Sequence, residues 1–279
     1  MAKVTLSPDR LVIDLPTWLK APAGQYLLEW ERAQFERAVS DIFGFNAVQL
    51  GMPELDGLQA NRMPHRWLAC NDVQLRHLAT GASPAPALCT DFGALPFPAA
   101  SLDLVLLPHA LELHSDPHAT LREVERVLVP EGRVVICGFN PVGMWAMRQR
   151  RARWTQHLGF GERFLPDVQN WIGYWRLRDW LRLLSFEVEL HQFGCYRPAL
   201  HSQAWLERCA WMDSVGARWW PIFGSVYFIV AVKRVRGMKR LEPAWKNASK
   251  VAVVPVSIAN KVSARPGAAS NQTESEAAP

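Results

Sequence analysis

Several ionisable side chains crowd one short stretch of the chain, residues 109–118: His109, Glu112, His114 and His118. Imidazole and carboxylate groups at this spacing can take or give a proton near neutral pH, so the stretch is where a general base is expected first. The same residue types also suit a divalent metal ion. Asp116-Pro117 argues against that use, because it reads as a helix N-cap followed by proline in the first turn. His114 and His118 then fall on either side of a helix start and share no helical face with His109. We therefore expect no metal site and take His109 as the first candidate for a base.

Other polar residues sit where short apolar runs end. Gln49 lies in the run Phe45–Leu50, just ahead of Gly51; Asn71-Asp72 follow Arg66–Cys70; Asp91-Phe92 follow the run Ala87–Thr90; and Pro108-His109 follow Leu102–Leu107. Two basic clusters stand apart from these. Arg148, Arg150, Arg151 and Arg153 lie beside Trp145 and Trp154, and Lys233, Arg234, Arg236, Lys239 and Arg240 follow the last apolar run. Solvated faces account for both, with a phosphate-bearing substrate, RNA or an anionic membrane surface as the functional alternatives for the first.

The elements that must position these groups show in the hydrophobic spacing. Leu28, Phe35, Val39 and Ile42 recur at helical period within Gln25–Phe43, between Glu29, Glu31, Arg32, Glu36 and Arg37. Leu102–Leu107 reads as a strand, and Leu121, Val124, Val127 and Leu128 form the stripe of a helix that Pro130-Glu131-Gly132 ends. Arg133–Phe139 follows as a strand buried on both faces, completing a βαβ unit. Leu177, Trp180, Leu181 and Leu184 mark a further helix, Phe186–His191 a strand, Trp205–Met212 a helix, and Trp219–Lys233 a turn and the last strand. The alternation predicts an α/β fold: a doubly wound, mostly parallel sheet, with its ligand at the carboxyl ends of the strands. We expect an N-terminal extension over residues 1–24, one domain over 25–242 and a flexible tail over 243–279.

Composition sets outer limits. The 279 residues are 49% hydrophobic and 20% charged, which excludes a wholly disordered or fibrous chain. A net charge of +5 is too weak to demand nucleic acid. The five cysteines form no C-x-x-C pair, which fits a reducing, cytoplasmic setting. Neither a signal peptide nor a transmembrane run is expected. Tryptophan is abundant, at 13 residues, and all but Trp18, Trp30, Trp67 and Trp245 fall between Trp145 and Trp220.

Residues 91–141 carry a specific likeness. Asp91, Leu95-Pro96-Phe97, Asp103, His109 to Glu112, Asp116-Pro117, Arg126 to Leu128, Pro130, Gly132 and Asn140-Pro141 occur in the order found in class I S-adenosylmethionine-dependent methyltransferases of the small-molecule (type 11) kind. The chain resembles that family, more weakly over residues 30–235, and most of all its bacterial members with a degenerate first glycine-rich loop.

The resemblance implies a seven-stranded sheet with an antiparallel last strand and a helical, Trp-rich cap over about 142–175. It also implies S-adenosylmethionine as cofactor, with Gln49 and Gly51 at the methionine end and Asp72 on the ribose. Asp91 and Phe92 would meet the adenine, and Pro108 and His109 would lie near the transferred methyl. The acceptor expected is a small or lipophilic molecule. The family's acid-x-Gly-x-Gly-x-Gly loop is here Gln49-Leu50-Gly51-Met52-Pro53-Glu54-Leu55, where only Gly51 remains and a neutral amide replaces the acid. An interaction module of the same fold without cofactor is accordingly the rival reading, and an RNA methyltransferase a further alternative.

Overall fold

The computed structural model describes residues 14–77, 85–156, 164–200 and 202–234. The expected tail lies outside these residues, as do Arg236, Lys239 and Arg240 of the second basic cluster. Two N-terminal helices, α1 (Leu15–Leu19) and α2 (Pro22–Val39), precede β1 (Asn46–Leu50), β2 (His65–Cys70), α3 (Asp72–His77) and β3 (Leu88–Cys89). The middle of the chain forms β4 (Leu102–Pro108), the short α4 (Ala110–Leu113), α5 (Pro117–Val127), β5 (Leu128–Phe139) and α6 (Met144–Gln156). It closes with α7 (Tyr174–Leu183), β6 (Phe186–Gly194), α8 (Gln203–Arg208), α9 (Trp211–Trp219), a 3-10 turn at Pro221–Phe223 and β7 (Val226–Lys233).

The strands form one seven-stranded sheet in the order β3-β2-β1-β4-β5-β7-β6. All pairs from β3 to β5 are parallel, whereas β7 runs antiparallel to both β5 and β6. This is the expected doubly wound sheet. Chain order reverses between β1 and β4, which makes their carboxyl ends the topological switch where such sheets hold ligands. Because β7 opposes both neighbours, β6 points the same way as the parallel strands. The segment from Cys195 to Ser225 therefore returns at the same end of the sheet.

Strand periodicity divides the core into two layers. Ala47, Leu104, Leu106, Val135, Cys137, Phe228 and Val230 face a cluster that includes Leu27, Leu28, Phe35 and Val39 of α2. Val48, Val105, Leu107, Val134, Ile136 and Ile229 face the opposite way, onto Leu121 and Val124 of α5 and Leu177 and Leu181 of α7. Each fully buried aliphatic side chain of this kind stabilises the fold by about 1.5–3 kcal/mol. Leu15, Trp18 and Leu19 of α1 are buried in the first cluster, so the chain ahead of residue 25 packs against the sheet.

Two local expectations change. Pro130-Glu131-Gly132 does not separate α5 from a later strand: α5 ends at Val127, β5 starts at Leu128, and the pairing jumps from Leu102↔Leu128 to Leu104↔Arg133. The three residues bulge out of the ladder, with Glu131 at φ +64°. Trp205–Met212 is not one helix, since α8 ends at Arg208 and α9 begins at Trp211.

Candidate active site

Gln49, near the end of β1, is buried and its amide is fully engaged. Its Nε2 lies 3.1 Å from the carbonyl oxygens of Gly51 and Met52 and 2.6 Å from that of Leu55, while Oε1 accepts from Gly57 N at 2.9 Å. One side chain thus ties the loop that follows β1 into a closed turn. Gly51 enters it at φ +81° and Met52 follows at φ +51°. Met52 and Leu55 are buried in the core cluster. The loop is held from within, by an amide donating to carbonyls, where the resembling family uses bare glycine backbone.

At the next strand end Asn71 and Asp72 divide the work. Asn71 Oδ1 accepts from Gln74 N at 2.8 Å, and Gln74 Oε1 accepts from Asn71 N at 3.2 Å, a reciprocal cap that opens α3. That leaves Asp72 exposed at the first position of the helix, accepting from the Cys89 thiol at 2.9 Å. Beyond β3, Asp91 Oδ1 accepts from Gly93 N and meets His114 Nε2, both at 2.9 Å. The Gly93 N–H foremost, and the imidazole after it, hold the Asp91 carboxyl below its ordinary range. Its side chain stays 68% exposed. Phe92 is buried, its ring 6.0 Å from that of His114.

The exit of β4 is the most unusual feature. Pro108 pairs with Cys137 as the last residue of β4, and His109 follows in the left-handed region at φ +52°. Its imidazole is fully buried between two carboxylates: Nε2 is 2.7 Å from Glu31 Oε1 on α2, and Nδ1 is 2.8 Å from Glu112 Oε2 on α4. Burial, the largest effect, favours the neutral ring, but Glu31 and Glu112 together outweigh it and hold His109 at about 10. Burial pushes Glu112 up, against the hydrogen bonds it receives from His109 and from Phe139 N, the latter at 2.5 Å. The Cys137 thiol donates to Glu31 Oε1 at 3.1 Å. Glu31 Oε2 and the Tyr227 hydroxyl are buried and without a hydrogen-bond partner.

The expectation of His109 as a base meets a geometric obstacle here. A base needs a ring nitrogen that an acceptor can reach, and both nitrogens of His109 are already engaged out of contact with solvent. Glu31, which the helical reading set beside solvated charges, is fully buried. The signal was present in its spacing: Leu27, Leu28, Glu31, Gln34 and Phe35 follow the buried stripe of α2. His114, one of the original cluster, belongs with Asp91, while Asp103 is structural, accepting from Phe45 N and Asn46 N at 2.8 and 2.9 Å.

In the first basic cluster Arg148 lies over the Phe164 ring and Arg150 and Arg151 are exposed; the side chains of Arg153 and Trp154 fall outside the described residues. In the second, Lys233 Nζ donates to the Leu128 carbonyl and meets Glu125, and Arg234 meets Glu131 and Glu187. Trp145 is buried against Trp18, Tyr26 and Phe164, so this cap tryptophan is core.

The donor set can be weighed against S-adenosylmethionine. Two exposed carboxylates, Asp72 and Asp91, stand at the ends of the paired strands β2 and β3, and suit ribose hydroxyls and an exocyclic amine. These fit the adenosine half. The Gln49 amide does not fit the role of an acid for the ammonium group, because its hydrogen-bonding capacity is used inside the loop.

Residues 68–136 match the methyltransferase domain family. The chain is 38% identical over 140 residues to the uncharacterized protein YafS of Escherichia coli, covering 50% of this chain and 52% of that one. It is 36% identical over 69 residues to malonyl-[acyl-carrier protein] O-methyltransferase of Halorhodospira halophila, covering 25% and 22%. The matched region thus spans about half the length of the first relative and under a quarter of the second. An S-adenosylmethionine-dependent methyltransferase of Thermotoga maritima shares the fold at TM-score 0.51 and 14% identity, over 75% of this chain and 93% of that one. The chain thus resembles the methyltransferase domain family over residues 68–136 and shares the fold of a class I S-adenosylmethionine-dependent methyltransferase.

Proposed function

We propose that the protein transfers a methyl group from S-adenosylmethionine to a small, lipophilic acceptor. The observation that carries this reading is the succession of Gly51, Asp72, Asp91-Phe92 and Pro108-His109 at the carboxyl ends of β1 to β4, across the switch point of the sheet. The cofactor, when bound, supplies an electrophilic methyl on a sulfonium. In this reading Asp72 accepts from the ribose hydroxyls, Asp91 from the adenine amine, and Phe92 backs the ring. The closed loop after Gly51 presents backbone to the methionine end. His109 acts as a positioning residue: its charged bridge to Glu31 and Glu112 fixes the left-handed turn that sets Pro108 and α4 beside the site. Acceptors already deprotonated, or losing their proton to water, need no further base, so the protein's contribution is approach and exclusion of solvent.

A cavity of about 630 Å³ at the same end of the sheet suits a flat apolar acceptor, being lined by Trp30, Tyr174, Trp175, Phe193 and Tyr196 among others. The closed Gln49 loop favours the rival, an interaction module that binds no cofactor. Equilibrium dialysis with radiolabelled S-adenosylmethionine separates the two. Saturable retention, weakened about tenfold by Asp72→Asn, supports the enzyme; no retention at millimolar cofactor leaves the interaction module.

A further inference from the structure

The return segment between β6 and β7 carries an unusual surface. Trp205, Trp211, Trp219 and Trp220 are each at least 55% exposed, and Ile222 and Phe223 beside them are 48% and 44% exposed. Large aromatic groups left in water on a folded chain mark a contact surface. Cations accompany them. The Arg208 guanidinium lies 5.0 Å over the Trp205 ring, Arg218 is exposed next to Trp219, and on the neighbouring helix α7 Arg178 lies 4.5 Å over the exposed Trp175. Two of the acids nearby are engaged within the chain, Asp213 with Tyr26 and Arg197, and Glu207 with Gln203. Trp175 and Ile222 also line the aromatic cavity, so the exposed rim runs to its mouth. No helix among the described residues is long and apolar enough to cross a membrane.

We propose that this rim docks on the surface of an anionic phospholipid bilayer. An indole placed at the boundary of headgroups and acyl chains buries its apolar face and keeps its N–H in the polar layer. A guanidinium stacked on that indole then stands at the depth of the lipid phosphates, where a partner of opposite charge is available. The Trp–Arg stacks on α7 and α8, with the exposed Arg218 and tryptophans of α9, supply both halves of that contact. Docking in this pose sets the aromatic cavity against the membrane, which suits an acceptor dissolved in lipid; only this last consequence rests on the methyl-transfer reading.

The test is co-sedimentation of the full chain with unilamellar vesicles, of phosphatidylglycerol mixed with phosphatidylethanolamine in one arm and of phosphatidylcholine alone in the other. The protein sediments with the anionic vesicles at least tenfold more tightly than with the neutral ones. A variant with Trp211, Trp219, Trp220 and Phe223 changed to Ser loses that binding while its thermal unfolding and its cofactor titration stay as in the parent. Arg208→Gln with Arg218→Gln lowers the affinity and flattens its salt dependence. Absence of vesicle binding by the parent overturns the proposal, as does binding that the serine variant retains. A concentration-dependent dimer that the serine variant abolishes, without vesicle binding, assigns the rim to a second copy instead.

Discussion

Glu31 Oε1 and His109 Nε2 lie 2.7 Å apart, both fully buried, and join the middle of α2 to the turn at the end of β4. Glu112 holds the opposite nitrogen at 2.8 Å, so one imidazole ring bridges two helices at the switch point of the sheet. Burying a charge is expensive unless it is paired, and breaking such a pair from one side leaves an uncompensated charge. The bridge therefore couples the placement of α2 to the strand end that borders the proposed site.

The protonation of this bridge gives a pH signature. The folded chain holds His109 at about 10, against an ordinary value of about 6.5. A raised value means that the folded state keeps a proton the unfolded state has lost, so the stability it contributes is complete below about pH 6.5 and declines as pH rises toward 10. The buried thiols of Cys137 and Cys195 and the phenols of Tyr26 and Tyr227 add losses only above their own unfolded values, at about 8.5 and about 10. Urea unfolding between about pH 6.5 and 8.5 should thus show stability falling by up to about 1.4 kcal/mol per pH unit. Glu31→Gln should flatten that slope; a parent chain with level stability over the interval contradicts a charged bridge.

Gly138 permits a close approach that no other residue allows. A Cβ there would lie 2.5 Å from the Tyr227 hydroxyl and 2.9 Å from Glu112 Oε1. Gly138→Ala should destabilise the fold by about 1–3 kcal/mol. Adding Tyr227→Phe, which removes a hydroxyl without a hydrogen-bond partner, should recover part of the loss. Equal stability of Gly138→Ala and the parent in denaturant titration would contradict this packing.

The Gln49 knot makes a counterintuitive forecast. Gln49→Glu restores the acid found in the resembling family, yet it aims a carboxylate at the carbonyls of Gly51, Met52 and Leu55, which lie 2.6–3.1 Å from Nε2. It should therefore cost at least as much stability as Gln49→Ala, about 2–3 kcal/mol for the buried groups left unpaired, and should not tighten cofactor binding. Thermal unfolding with and without S-adenosylhomocysteine reads both effects.

The strand and helix order was legible because it depends on local spacing. Apolar runs in Leu102–Leu107 and Arg133–Phe139, with the Asp116-Pro117 start between them, led to β4, α5 and β5, and Asp116 does cap α5 by accepting from His118 N and Ala119 N. The bridge was not legible. Glu31 and His109 are 78 residues apart, and a charge on a helix stripe is assigned to water unless its partner is known. The Gln49 knot likewise depends on how a loop folds back on itself. The tryptophan distribution pointed to a cap over the substrate half; the fold divides it, burying Trp145 and leaving Trp205, Trp211, Trp219 and Trp220 at the surface.

Asp91 offers a test of recognition separate from stability. Its carboxylate is 68% exposed and its two hydrogen bonds fall on Oδ1. Asp91→Asn should weaken cofactor binding by about tenfold, the difference between a charge-assisted and a neutral hydrogen bond, and leave thermal unfolding nearly unchanged. Loss of stability without loss of affinity would make Asp91 a turn residue only.

Hydrogen–deuterium exchange with saturating S-adenosylhomocysteine tests the central claim most directly, because it reports binding and location together. A cofactor seated across the switch point slows exchange at residues 51–57, 71–75, 91–95 and 108–113, the chain segments that follow β1, β2, β3 and β4. Unchanged exchange throughout the chain, or protection confined to other segments, would contradict a cofactor seated across the switch point.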